Sequence, residues 1–428
     1  MDFVTALQNT LSLEDAKTFL LAQKEASLPT FFLNKNKLSA AELLARYPKL
    51  IPLDAAGYSY LNQDYPKLSK SLEYLAGALY AQDYASSVVT QVLDLKPTDL
   101  ILDMCAAPGG KTINASIRLS QKGLVIAAEF SKKRLEVMTS NIERLGLGNI
   151  ITCEINANEL PFYFQDCFDK IILDAPCSGT FMFKSEPKMC ADWTYNKVLR
   201  LQKEQAELLK SGLKMLKVGG YLVYSTCSVL KEENEDIIKA QLGSEYRIIP
   251  LTIPGALESS FLPGALRLMP NQYQDGHFIC LIQKVSGQTK KFKTTNLNKD
   301  EDLSLYKFTT KQVIYGLTSS AVPTHLNFHT LGVSCYEIRG EHRIPMHHLA
   351  RFLPATSSIN LTKEEATTYL RGETLHRKLA DGYYIVSFLG LNLGYVKVVL
   401  GELKNYYPRG LRIPSFAFYN NYQSDSAH

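Results

Sequence analysis

No stretch of this 428-residue chain combines the length and apolar character of the roughly 20-residue helix that crosses a membrane. Residues 1–10 lack both the basic start and the apolar run of a secretory signal, so the cytoplasm is the expected address. The eight cysteines, Cys105, Cys153, Cys167, Cys177, Cys190, Cys227, Cys280 and Cys335, include no C-x-x-C pair, and no His-x-x-His cluster accompanies them. That spacing argues against a structural zinc site, and scattered cysteines in a large chain without a secretory signal are expected to be reduced thiols. His347-His348 has no cysteine or acid nearby in sequence and reads as a structural pair, so no metal is expected. The dinucleotide signature G-x-G-x-x-G and the phosphate loop G-x-x-x-x-G-K-[ST] are both missing. No internal repeat is visible.

What is present is a large apolar inventory, 46% of residues, enough for more than one domain. The net charge of +5 is unevenly spread. Residues 286–428 hold 17 Lys and Arg against 11 Asp and Glu, whereas the rest of the chain holds 30 against 31. A basic final third beside a neutral body fits contact with a polyanion, although a solubilising surface would give the same count.

Apolar spacing predicts helices over residues 2–23, resuming at the cap residue Ser12, and over 39–46 and 72–93. From residue 100 the pattern changes to short apolar runs (100–102, 124–128, 149–153, 170–173 and 221–224) alternating with helical segments at 131–145 and about 196–216. Gly219-Gly220 is expected to stop the second of these helices, and Glu232-Glu233 to begin another. Such alternation predicts an α/β fold with a doubly wound, mostly parallel sheet, whose ligands sit beyond the carboxyl ends of its strands. The boundaries expected are an N-terminal helical region at 1–90, a core at 91–285, a polar Lys/Thr-rich linker at 286–302, an intermediate domain at 303–360 and a C-terminal domain at 361–428. In the last two parts, helices are expected near 344–350 and 361–369, and strands near 383–389 and 395–400.

The first core strand runs into D-M-C-A-A-P-G-G-K-T (103–112), a turn whose small residues let a ligand approach the backbone. Glu129 closes the next strand about 20 residues on, where an acid can accept hydrogen bonds from ribose hydroxyls. An adenosine-containing ligand other than a dinucleotide is the reading. Two further motifs, D-A-P-C-S-G (174–179) and Y-S-T-C-S (224–228), each place a cysteine just after a strand. A thiolate that adds to carbon 6 of a pyrimidine turns carbon 5 into an enamine-like nucleophile able to attack a sulfonium methyl. Cytosine also needs an acid near its ring nitrogen 3, and a second thiol can help release the product. Asp174, Cys177 and Cys227 supply those groups, whereas Cys153, Cys167, Cys190, Cys280 and Cys335 read as structural, and Cys105 as a small packing residue of the loop.

These three motifs, in this order, resemble those of the Nop2/Sun family of RNA 5-methylcytosine methyltransferases. The likeness extends through L-Y-A-Q (79–82), Ser86-Ser87, Glu233-Asn234-Glu235, R-L-M-P (267–270) and Gly276-His277-Phe278. The tail resembles the PUA-like C-terminal domain of the family's bacterial RsmF branch, through Y-L-R-G-E (369–373), L-G-Y-V-K (393–397), L-K-N-Y-Y-P (403–408) and G-L-R (410–412). The resemblance implies a class I S-adenosylmethionine-dependent methyltransferase fold, Rossmann-like with a mostly parallel seven-stranded sheet. Around it, a helical N-terminal region and a small α+β PUA-like domain would bind RNA.

By that resemblance Cys227 is the nucleophile, Cys177 assists product release and Asp174 positions the target base. Cys105, Ala106, Ala107, Pro108, Gly109, Gly110, Lys111, Glu129, Arg134, Asn156 and Asp174 would bind S-adenosylmethionine. Asn156 stands where the family usually has an acid. The implied substrate is cytidine in the decoding region of 16S rRNA, with the small ribosomal subunit as partner and a monomer expected. Lys184 is a candidate RNA contact, as are Arg371, Lys397, Lys404, Arg409 and Arg412, which interleave with Tyr369, Tyr395, Tyr406 and Tyr407, unless the tyrosines form the core of a small β domain. Two alternatives stay open: the same chemistry on tRNA, and a non-catalytic ribosome-assembly or RNA-binding factor.

Overall fold

Asp2 and Ser12 each accept a hydrogen bond from the backbone N–H three residues on, and helices Phe3–Gln8 and Leu13–Ala22 begin there. Ser39 and Glu42 form a reciprocal capping box for Ala40–Arg46. These elements belong to a computed structural model that describes residues 1–291, 293–323 and 326–415; the end of the expected C-terminal domain, 416–428, lies outside the described residues.

The expected continuous helical region at 72–93 is instead a short helix (Leu72–Leu75), a strand (Leu79–Ala81) and a helix (Tyr84–Gln91). Gly77 makes the break. It has φ of +78° and lies so close to the Arg144–Leu145 backbone that no Cβ would fit. Leu79–Ala81 then pairs with Thr30–Leu33 in a four-stranded antiparallel sheet completed by Ser59–Leu61 and Ile51–Pro52. The N-terminal region is therefore helical and sheet-forming together.

The core is the expected seven-stranded sheet, in the order Ile150–Glu154, Leu124–Glu129, Leu100–Asp103, Phe168–Asp174, Leu216–Thr226, His277–Lys284, Tyr246–Ile249. The first five strands run parallel, and His277–Lys284 is antiparallel to both neighbours. Three short strands, Thr330–Leu331, Leu266–Leu268 and Leu257–Glu258, extend it to ten. Alternate side chains go to opposite faces, as strand geometry requires. Leu102, Ile126, Ile151 and Ile171 pack with Leu208, Leu209 and Leu213 on one side. Ile101, Val125, Ile150 and Ile172 pack with Ile113, Leu135, Met138 and Ile142 on the other. Both faces are covered, which is why the strands read as continuous apolar runs.

The Tyr195–Met215 helix does not end at the glycine pair. Leu216 turns extended, and one strand runs from Leu216 to Thr226 through Gly219 and Gly220, where the pairing register shifts opposite Phe168–Lys170. The acidic stretch that follows is a single 3-10 turn, Lys231–Glu233, before helix Glu235–Gln241, and Glu233, Asn234 and Glu235 are fully buried.

Part of the stretch read as linker is sheet: Thr294–Asn296 pairs with Ala321–Pro323, and Asn298–Asp300 opens a five-stranded antiparallel sheet. Helix His347–Phe352 follows. His348 is a structural tie, accepting the Ser334 N–H at Nδ1 and reaching Leu147 O from Nε2 at 3.1 Å. The C-terminal part carries a second five-stranded sheet around Gly382–Phe388 and Leu391–Val399, with helix Lys363–Arg371 capped by Thr362. Its Leu361, Tyr369, Leu370, Val386, Leu393 and Leu403 share one apolar cluster with Phe31, Leu43, Tyr60 and Leu79 of the N-terminal region. The N-terminal four-stranded sheet region and the C-terminal part thus share one apolar core.

Candidate active site

All three motifs emerge at the carboxyl edge of the parallel strands, so residues far apart in sequence meet there. The turn after Leu100–Asp103 carries Gly109 at φ +108°, with no room for a Cβ against Met138, and hands over to helix Gly110–Arg118. Cys105, Ala106, Ala107, Pro108, Gly110, Lys111, Asp174 and Cys227 line one cavity of about 290 Å³, together with Asp103, Gln82, Asp83, Ser86, Met182 and His277.

Cys177 and Cys227 lie on the adjacent strand ends Phe168–Asp174 and Leu216–Thr226, with their Sγ atoms 2.8 Å apart. Both are free, half-buried thiols. The hydrogen bond to Cys227, and burial after it, push the Cys177 thiol well above its usual range, so Cys177 holds its proton.

Asp174 sits beside them. Its Oδ2 accepts Lys111 Nζ at 2.7 Å and its Oδ1 accepts Ser225 Oγ at 2.8 Å, with His277 Nε2 3.5 Å away. Burial pushes this carboxyl up, but Lys111 and then His277 outweigh it and hold the group ionised, below the ordinary carboxylate range. Neither ring nitrogen of His277 has a hydrogen-bond partner.

Gly109, Glu129 and Arg134 do not line that cavity, and other contacts place the last two beside the turn. Glu129 is buried at the end of its strand; it accepts the Ser131 N–H at 3.0 Å and pairs with Arg134 at 3.2 Å. Arg134 also donates to the Ala107 carbonyl, which ties strand end to loop. Asp103 accepts Thr112 Oγ1 at 2.6 Å through one oxygen while the other has no partner, and burial pushes its acid up to about 6. Burial likewise raises the Cys105 thiol, in keeping with a packing role. Asn156 is exposed beyond strand Ile150–Glu154, where it caps the turn Ala157–Phe162 through Asn158 N–H; it does not line the cavity.

Of the other cysteines, Cys153, Cys167, Cys280 and Cys335 are buried, with thiols raised by burial (Cys167 and Cys335 to about 12), and Cys190 is exposed. Lys184 follows the Cys177 motif and donates to Asn271 O at 2.8 Å. Arg371, Lys397, Lys404, Arg409 and Arg412 all belong to the C-terminal part, on helix Lys363–Arg371, strands Leu391–Val399 and Glu402–Asn405, and the turn Arg409–Leu411 with its following residue. Three of the four tyrosines read beside them as stacking candidates, Tyr369, Tyr395 and Tyr407, are core residues; Tyr406 is exposed. Their hydroxyl and ring contacts complete the small β domain, for example Tyr369 Oη to Tyr395 O.

The residue chemistry alone did not find Ser86, which accepts Lys111 Nζ at 3.0 Å, nor Ser225 and Glu233, whose roles depend on strand register and on a turn. The available signal was the motif likeness around Ser86-Ser87 and Glu233-Asn234-Glu235.

Sheet order, glycine turn and the acid at the neighbouring strand end define a class I, Rossmann-like methyltransferase. Residues 90–283 match the family described as 16S rRNA methyltransferase RsmB/F, and residues 356–413 match the methyltransferase RsmF PUA domain. The chain belongs to that RsmB/F methyltransferase family. It is 29% identical to the ribosomal RNA small subunit methyltransferase F of Shewanella piezotolerans, over 84% of this chain and 85% of that one. It is 28% identical to the protein of the same name from Escherichia coli K12, over 95% and 94%. Among solved structures, a methyltransferase homolog from Pyrococcus horikoshii superposes with a TM-score of 0.58 at 30% identity, covering 66% of this chain and 94% of the other.

Proposed function

We propose that the protein transfers a methyl group from S-adenosylmethionine to carbon 5 of cytidine in the decoding region of 16S rRNA. The observation that carries this reading is the sulfur pair of Cys177 and Cys227, 2.8 Å apart, with Cys227 and Asp174 lining the cavity that the glycine turn borders. The names of the relatives support rRNA as the substrate. The residues fit the cofactor: the small side chains of the turn let a ligand approach its backbone, and Asp103 keeps an oxygen without a partner in the cavity wall. Cys105 to Lys111, Glu129 and Arg134 would hold it. When bound, the cofactor supplies an electrophilic sulfonium methyl.

The rest is the chain's own work. Carbons 5 and 6 are reached only if the cytidine leaves its stack and enters the cavity. Cys227 attacks carbon 6, which makes carbon 5 nucleophilic. Asp174, held ionised by Lys111, accepts from the exocyclic amine and favours a proton on ring nitrogen 3. Cys177, which keeps its own proton, donates a hydrogen bond to the Cys227 sulfur when that sulfur departs. The basic residues of the C-terminal domain and Lys184 contact the phosphates around the target.

The test uses the purified protein, methyl-labelled S-adenosylmethionine, and 16S rRNA either naked or in small subunits, with bisulfite sequencing of the product. Label on cytosine in the decoding region, reduced to background by Cys227→Ala, is the expected result. Label on another base or in tRNA alone, or full activity of Cys227→Ala, would overturn the reading.

A further inference from the structure

Glu233 is fully buried and is tied to the loops of both cysteines. Its Oε1 accepts the Ser178 N–H at 2.8 Å and Gln205 Nε2 at 3.1 Å, and its Oε2 accepts Ser178 Oγ at 2.5 Å. Gln205 Nε2 also donates to Pro176 O at 2.8 Å, so the residues on either side of Cys177 are fixed from one carboxylate. The Glu233 carbonyl accepts Tyr224 Oη at 2.6 Å, on the strand that ends in Cys227.

The Cys227 loop has a second, separate anchor. Asn234 donates to Ser228 O and Leu230 O, both at 2.8 Å, and accepts Thr226 Oγ1 at 2.6 Å. Phe181 N–H also donates to Cys227 O at 3.0 Å. The Glu233 carboxylate reaches Ser228 as well, but its loss would remove both bonds to Ser178 and so loosen the Cys177 side more than the Cys227 side, which Asn234 still holds. A buried acid is costly unless its acceptors are filled, and here donors from the cysteine loop fill them.

We infer that Glu233 is a positioning residue for Cys177, holding that thiol against the Cys227 sulfur so that the methylated base can be released. The inference rests on the cysteine roles given under Proposed function. In release, the C5–H bond breaks and its proton passes to water, the electron pair forms the C5–C6 double bond, and the C6–sulfur bond breaks to leave Cys227 as a thiolate. The Cys177 S–H donates to that thiolate. A misplacement of about 1 Å at such a step can cost about 100-fold in rate.

Two measurements on Glu233→Gln decide the matter, with Ser178→Ala as a milder companion. With 16S rRNA and labelled S-adenosylmethionine, both variants should bind cofactor normally and complete one methyl transfer. They should then accumulate a covalent protein–RNA adduct, with turnover slowed about 100-fold in Glu233→Gln. Without RNA, diamide should close the Cys177–Cys227 disulfide more slowly than in the wild type, because the sulfurs no longer face each other. Wild-type turnover together with a wild-type disulfide rate would overturn the inference. So would loss of cofactor binding and of transfer together in both variants, since Glu233 would then serve the fold alone. If the wild type itself transfers no methyl to the RNA, the proposed function fails, and the diamide rate still reports on Glu233.

Discussion

The Sγ atoms of Cys177 and Cys227 touch at 2.8 Å across 50 residues of chain, because parallel strands Phe168–Asp174 and Leu216–Thr226 end side by side. The hydrogen bond to Cys227 and burial hold the Cys177 thiol protonated, as the proposed release role requires. Cys177→Ala leaves the attacking sulfur in place but removes the thiol that stabilises its departure. The variant should trap a covalent protein–RNA complex, seen as a slow-migrating band that withstands denaturation. Cys227→Ala should give no such band, and the double variant should behave like Cys227→Ala.

Lys111 and Asp174 form an ion pair with side chains 10% and 30% exposed. The carboxyl of Asp174 is held below its ordinary value of 3.8. Its contribution to stability is therefore complete above that value and fades only as the pH falls through the lower, folded-state value. Lys111→Met removes the leading cause of the depression and leaves the burial, which acts upward. The acid limb of the pH–rate profile should then move to higher pH by about 1 unit or more. An unmoved limb would mean that another group sets it.

The core strands, the glycine turn and both cysteines were legible because each rests on local pattern: an apolar run with both faces covered, or a small-residue turn after it. Gly219-Gly220 misled for a physical reason. A glycine pair after a helix resembles a C-terminal cap, but helix Tyr195–Met215 already ends at an extended Leu216, and the glycines serve an irregularity within the strand. The break at Gly77 was hidden because it depends on the backbone of Arg144, which is distant in sequence. Thr294–Asn296 read as linker because a polar strand on an exposed sheet has no apolar alternation. Glu232-Glu233 read as a helix start, whereas Glu233 faces inward; only the tertiary placement of Ser178 and Gln205 gives it partners. The pattern around Tyr369 and Tyr407 suits core and surface equally, and their burial settles them as core.

Arg267 and Glu235 form a bidentate pair at 2.5 and 2.8 Å with almost no exposure, and Arg267 Nε also donates to Val229 O in the loop after Cys227. Removing one member strands a buried charge, which typically costs about 3–5 kcal/mol. Arg267→Met should therefore lower the denaturation midpoint by that amount of stability. Arg267→Met combined with Glu235→Gln should recover part of the loss, since no unpaired charge then remains. Simple additivity of the two changes in urea unfolding would contradict the pairing.

Lys404 and Arg409 are exposed on the C-terminal domain and flank the exposed Tyr406 in sequence. Lys397 lies over the Tyr383 ring at 5.3 Å, so its stem is already used in packing. Charges of the first kind suit phosphate contact without altering the cavity. Each phosphate neutralised on single-stranded RNA contributes about 0.7 to the slope of log K against log salt. Lys404→Ala with Arg409→Ala should flatten that slope by about 1.4 and weaken 16S rRNA binding at low salt. Methyl transfer at saturating RNA should stay at the wild-type rate, because neither side chain reaches Asp174 or the cysteines. An unchanged slope would place the RNA on another face of the protein.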